Sequence, residues 1–154
     1  VLRTGLRIGD VLSLRRDQIK PHFWVTESKT GKRRQVGLPR QLCDEIISYS
    51  ESVNPRSVWA FPGRPNYRNW KEDRHRSRQA VWRDVKRAAA AFRLRSNAGP
   101  HSFRKVYAVD LLDKYGDIER VRRALNHKYV GTTLIYAIAD ERLRTRSSRR
   151  AARR

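Results

Sequence analysis

Apolar positions along the chain fall into groups with a helical or a strand period, and these groups predict most of the architecture. Residues 1–16 predict a turn at Thr4-Gly5 and then a helix in which Ile8, Val11, Leu12 and Arg15 keep the i, i+3, i+4, i+7 spacing. HFWVT (22–26) and RQVGL (34–38) carry β-branched and aromatic residues in rough alternation, with the glycine-containing SKTGKR between them. That pattern predicts a β-hairpin, closed by Pro39. Leu42, Cys43, Ile46, Ile47 and Tyr49 predict the buried side of a helix over 40–52, broken at Asn54-Pro55. Residues 58–61 (VWAF) are a short strand or a packed loop, and 62–76, holding Tyr67, Trp70 and His75, has no period. A helix is predicted from Ser77 to about Phe92, another over 100–115 opened by Pro100, and a third after Asp117 that carries Ile118, Val121 and Leu125. Phe103, Tyr107, Ala108, Leu111 and Tyr115 are the apolar positions of the 100–115 helix. Leu134, Ile135, Tyr136 and Ile138 define a last short helix over 132–139. The fold class is mainly α with a small antiparallel β-sheet (α+β).

Composition narrows the partner. The chain has 154 residues, one domain's worth, and its 38% hydrophobic content suffices for one core. Thirty-six Lys and Arg against 15 Asp and Glu give a formal charge of +21. Such an excess points to a polyanion, and nucleic acid comes first. A membrane surface fits less well, because the cations are spread through the chain and not gathered on one amphipathic helix. The single Cys43 can form neither an internal disulfide nor a thiolate metal site, so a reducing compartment is expected. No apolar run is long enough to span a bilayer and no signal peptide is visible, so a cytoplasmic location is expected, nucleoid-associated in a prokaryotic or viral host given a nucleic-acid partner. The chain lacks Met and starts inside what looks like a motif, which suggests a fragment of a longer protein. Residues 146–154 form a basic tail expected to be disordered unless it touches nucleic acid.

The candidate chemistry is dispersed. Arg7 and Asp10 lie three apart; Lys29 and Lys32 sit at the hairpin turn; His101 and Arg104 share a face at the start of a helix. His127 ends the helix after Asp117, and Tyr136 follows it by nine residues. Each signal alone has a bland explanation: a surface ion pair, a solvated lysine, a structural histidine, a core tyrosine with a satisfied hydroxyl. The histidines and carboxylates do not occur at metal-ligand spacing, and no glycine-rich phosphate loop is present, so neither metal nor cofactor is expected. Arg78 and Lys86 on the 77–92 helix, with Lys32, Arg33, Lys105 and Lys128, are the candidate nucleic-acid contacts.

In chain order the constellation is far more specific. Arg7 in TGLRIGDVLSL, the acid three residues on, Lys29 in ESKTGKRRQVGLP, His101 and Arg104 in HSFR, His127 in ALNHKYV and then Tyr136 resemble the tyrosine recombinase family, also called the phage integrase family. The resemblance covers residues 4–139 and departs from the family at Asn126, where Gly is usual; Asn also tolerates a left-handed backbone. It implies a catalytic domain over residues 1–145, without the family's N-terminal DNA-clamping domain. It also implies double-stranded DNA as partner and self-association as a tetramer on DNA. Tyr136 would be the nucleophile, with Tyr129 a weaker competitor. Arg7 and Arg104 would clamp the non-bridging phosphate oxygens, with His101 and His127 as further donors and His101 the first candidate for the base. Lys29, with Lys32 as competitor, would protonate the leaving 5′ oxygen, and Asp10 would orient Arg7 or a histidine. A type IB topoisomerase-like enzyme and a non-catalytic DNA-binding module on the same fold are the alternatives.

Overall fold

The structure is a computed structural model, and it describes residues 1–64, 66, 71–94 and 98–127. Lys128, Tyr129, Tyr136, the 132–139 helix and the basic tail lie outside the described residues. In chain order the elements are α1 (Ile8–Leu12), a 3-10 turn (Arg16–Gln18), β1 (His22–Thr26), β2 (Arg33–Gly37), α2 (Arg40–Val53), α3 (Arg78–Ala91), α4 (Pro100–Tyr115) and α5 (Ile118–Ala124).

The first helix is shorter than its apolar stripe predicts. It stops at Leu12 because the following backbone groups are taken by the 58–60 segment: Ala60 N–H donates to Leu14 O at 2.9 Å and Arg16 N–H to Val58 O at 2.8 Å. Leu14 then turns inward while Arg15 is exposed and bridges Trp59, so the 58–61 segment serves as a short pairing strip. The hairpin forms as expected, with β2 starting one residue earlier than the alternation suggested. β1 and β2 pair antiparallel in the register Phe23↔Val36 and Val25↔Arg34. Gly31 completes the turn with φ 65°, the left-handed conformation that glycine adopts without a Cβ penalty.

The main core gathers Leu6, Leu14, Ile19, Phe23, Val25, Val36, Leu38, Cys43 and Ala60, so Cys43 is the small core residue the α2 pattern implied. A second cluster joins α4 to α5 through Ala108, Val121 and Leu125, with Tyr107, Leu111 and Leu112 packed against it. Tyr115, expected on the apolar side of α4, is instead exposed, with the Arg120 guanidinium 3.6 Å from its ring centre. Helix starts follow local chemistry: Ser77 accepts from Ala80 N–H, and Asp117 accepts from Glu119 and Arg120 N–H.

Gly5 is where the two clusters meet. Its φ is 61°, and a Cβ there would overlap the Tyr107 ring and lie 3.3 Å from Leu125 Cδ2. Gly5→Ala is therefore expected to destabilise the chain by about 2–4 kcal/mol, from left-handed strain plus overpacking. Thermal melting of the variant beside wild type measures this; an unchanged melting temperature contradicts it.

Candidate active site

Arg7 occupies the N-cap of α1 with an extended backbone (φ −67°, ψ 147°). Its side chain therefore leaves the helix face that the three-residue spacing to Asp10 assumed. Among the described residues, the carboxylate that meets Arg7 is Glu27, at 2.5 Å from Nη1 to Oε2. Asp10 is buried and serves the hairpin turn: its Oδ1 accepts from Ser28 N–H at 3.0 Å and Ser28 Oγ–H at 2.6 Å. Asp10, expected to orient Arg7 or a histidine, thus meets Ser28, while Arg7 meets Glu27.

Arg104 is 2% exposed, although it is a cation; with Ala108 it is one of two buried residues on the 16-residue helix α4. It is held because its guanidinium donates to Gly5 O at 2.6 Å and to Leu125 O. The HSFR arginine thereby joins the turn before Arg7 to the turn before His127. A second arginine does the same from the hairpin: Arg34 donates to Thr4 O and to Ala124 O, and its Nε lies 3.5 Å from Glu27 Oε1. Neither Glu27 nor Arg34 was singled out from sequence. The strand period could have found both, since Glu27 continues the inward parity of Phe23 and Val25, and Arg34 that of Val36.

Asn126 adopts φ 54°, as its place in the LNH turn requires, and His127 follows it half-buried. The positive charges of Arg7 and Arg104 act on both His101 and His127. For His101, burial first and then Lys105, Arg104 and Arg7 lower the pKa below its ordinary value. For His127, burial first, then Arg104 and Arg7, lower it to about 4, against a weaker opposing effect of Glu27. Both shifts favour the neutral imidazole, the form able to accept a proton.

The unfolded chain protonates His127 near 6.5, whereas the folded chain resists until about 4. Protons therefore favour the unfolded state in that window, and stability is lost as pH falls from 6.5 toward 4. His127→Gln is expected to flatten this part of a melting-temperature profile against pH; an unchanged slope would count against a neutral His127.

The structure brings Arg7, His101, Arg104 and His127 into one electrostatic neighbourhood. Lys29 and Lys32 are both exposed at the hairpin turn, and Thr30 between them accepts from Asn126 Nδ2 at 3.4 Å, which places the turn against the His127 loop. The other described candidate cations lie at the surface. Arg33 stacks 5.2 Å from the exposed Trp24 ring, Lys86 lies 5.4 Å from the Trp82 ring, and Arg78 and Lys105 are exposed. Among the described residues no helix is long and apolar enough to cross a membrane.

Solved structures define the fold class. The chain superposes with TM-score 0.69 on the XerA recombinase, at 22% identity over 88% of this chain and 50% of that one. It superposes with TM-score 0.69 on the XerH site-specific recombinase bound to a palindromic difH substrate, at 22% identity over 96% of this chain and 42% of that one. The fold is that of a recombinase catalytic domain. Residues 1–142 match the phage integrase family, and the chain belongs to it. Among curated relatives, the probable integrase/recombinase YoeC of Bacillus subtilis (strain 168) is 30% identical, covering 91% of this chain and 74% of its own. Tyrosine recombinase XerD of Rhizobium meliloti (strain 1021) is 31% identical, covering 91% of this chain and 45% of its own. The chain thus spans about half the length of the XerD relatives it matches.

Proposed function

We propose that this chain is the catalytic domain of a site-specific DNA recombinase, residues 1–145, which cuts and rejoins DNA through a 3′-phosphotyrosyl intermediate without a metal ion. The observation that carries the reading is the gathering of two guanidinium groups and two neutral imidazoles from both ends of the chain. Arg104 binds the carbonyl of a residue 99 positions earlier, next to the turn that presents Arg7.

The chemistry follows from those groups. Cleavage of a phosphodiester builds negative charge on the non-bridging oxygens, and the planar forks of Arg7 and Arg104 answer it, with His127 as an added donor. The Tyr136 hydroxyl attacks phosphorus while its proton passes to a neutral imidazole, for which His101 is the candidate. The bond from phosphorus to the 5′ oxygen breaks, and Lys29 supplies the proton that makes a 5′-hydroxyl. Rejoining reverses each step: the hydroxyl attacks, the phosphorus–tyrosine bond breaks, and the phenol regains its proton. The phosphoester bond is conserved on the protein, so no nucleotide hydrolysis is required. Lys32, Arg33, Arg78, Lys86, Lys105 and Lys128, within a chain of +21, suit the flanking phosphates of duplex DNA. Assembly as a tetramer on two duplexes, in a nucleoid-associated setting, completes the reading.

The test is a pool of nicked duplexes with randomised sequence, incubated with the chain and run on a denaturing gel. A covalent protein–DNA band is expected, and sequencing the trapped DNA would give the site. DNA binding with no covalent band from any member reduces the chain to a binding module. Plasmid relaxation without strand exchange would instead make it a nicking-closing enzyme.

A further inference from the structure

The Lys29 turn is held from both sides by buried carboxylates. Ser28, before the lysine, is gripped through its N–H and hydroxyl by Asp10, which is 2% exposed. Thr30, after it, donates its hydroxyl to Glu27 Oε2 at 3.2 Å and accepts from Asn126 Nδ2 at 3.4 Å. Glu27 is fully buried, and the same Oε2 receives Arg7 Nη1 at 2.5 Å. One carboxylate oxygen therefore touches both the arginine proposed to clamp the phosphate and the turn proposed to carry the acid.

We propose that Glu27 is a positioning residue for strand cleavage, holding the Arg7 guanidinium toward the phosphate and tying the Lys29 turn to the His127 loop. The inference rests on the recombinase reading above. Burying a carboxylate is costly unless cations meet it. Arg34 meets it from the other side, with Nε 3.5 Å from Oε1 and its remaining nitrogens on Thr4 O and Ala124 O. Because Arg34 balances the charge, Arg7 need give only one of its five N–H donors to Glu27, and the rest of the fork can serve a phosphate. The same geometry separates the two lysines. Lys29 has both neighbours held through their side chains by the buried Asp10 and Glu27 carboxylates, whereas Lys32, after Gly31 at φ 65°, is held through its own backbone, its N–H on Thr30 Oγ1 at 3.4 Å and its carbonyl accepting from Glu27 N–H at 3.0 Å.

Glu27→Gln keeps the shape and removes the charge. It is examined by single-turnover cleavage of two DNA substrates: one with the natural 5′ oxygen as leaving group, and one whose 3′ phosphate carries p-nitrophenol, which departs without a proton. Glu27→Gln is expected to slow both by about 10–100-fold, since Arg7 acts on oxygens common to both, with DNA affinity changed less than about twofold. In an Arg7→Ala background it should cause no further loss. Thr30→Val should slow only the natural substrate, by about tenfold. Wild-type rates in Glu27→Gln, or an effect fully additive with Arg7→Ala, overturn the proposal, leaving Glu27 as hairpin packing. If the wild-type chain cleaves neither substrate, the recombinase reading fails. The Arg7 Nη–H signals in a nitrogen-edited NMR spectrum still decide the Glu27 contact: they should be resolved in wild type and merge with those of solvated arginines in Glu27→Gln, and unchanged signals overturn the proposal.

Discussion

Tyr136→Phe is expected to abolish the covalent protein–DNA adduct while leaving DNA binding and melting temperature near wild type. Phenylalanine keeps the ring and loses only the oxygen that would bond to phosphorus. Removing a nucleophile costs on the order of 10⁴-fold or more, because the covalent intermediate can no longer form. Denaturing gels of the trapped complex measure the loss, and filter binding of the same DNA measures retained affinity. Tyr129→Phe is the internal control and should trap DNA as wild type does. An adduct that survives in Tyr136→Phe and disappears in Tyr129→Phe would move the nucleophile to the tyrosine two residues after His127 and require a different approach to the phosphate.

Arg104→Ala should produce the largest combined loss of stability and activity among the site substitutions. The side chain is 2% exposed and satisfies Gly5 O and Leu125 O, the two turns that lead into Arg7 and His127. Its removal leaves those carbonyls unpaired inside the fold, at a cost of about 3–5 kcal/mol. For a chain of this size that lowers the melting temperature by on the order of 10 °C. Cleavage should fall by at least about 10²-fold at temperatures where the variant remains folded, because a charge-stabilising donor is gone and the two turns are released. Arg104→Lys separates the effects. A single ammonium keeps the charge but cannot bridge two carbonyls and a phosphate in one plane, so melting should recover in part and cleavage should not. Full recovery of cleavage by lysine would reduce Arg104 to a point charge.

Those two residues illustrate different degrees of legibility. The nucleophile role of Tyr136 is what the resemblance to the tyrosine recombinase family implies, nine residues beyond His127 at the end of an ordered series of motifs, and the residue lies outside the described residues. Arg104 was legible as a clamp candidate from H-x-x-R, but its two carbonyl partners were not, since Gly5 and Leu125 are remote from it and carry no side-chain signal for a backbone acceptor. Asp10 shows how spacing can mislead. Three residues from Arg7 implies a shared helical face only if both residues are helical, and Arg7 is the N-cap.

Local chemistry within the sequence determined the elements themselves. Alternation and a glycine turn made the hairpin, Asn54-Pro55 ended α2, Pro100 opened α4, and Asn126 took the left-handed turn before His127. The family followed from motif order, because residue types survive in sequence even where their contacts cannot be read. Tertiary structure alone decided where α1 stopped, since the 58–60 segment competed for its backbone bonds. It alone decided that Arg7 pairs with Glu27 and not with Asp10, and that Arg34 shares that carboxylate while fastening Thr4 to Ala124. The physical reason is range. Turn and helix signals act over a few residues, whereas a buried charge must find its counter-charge wherever the fold delivers one.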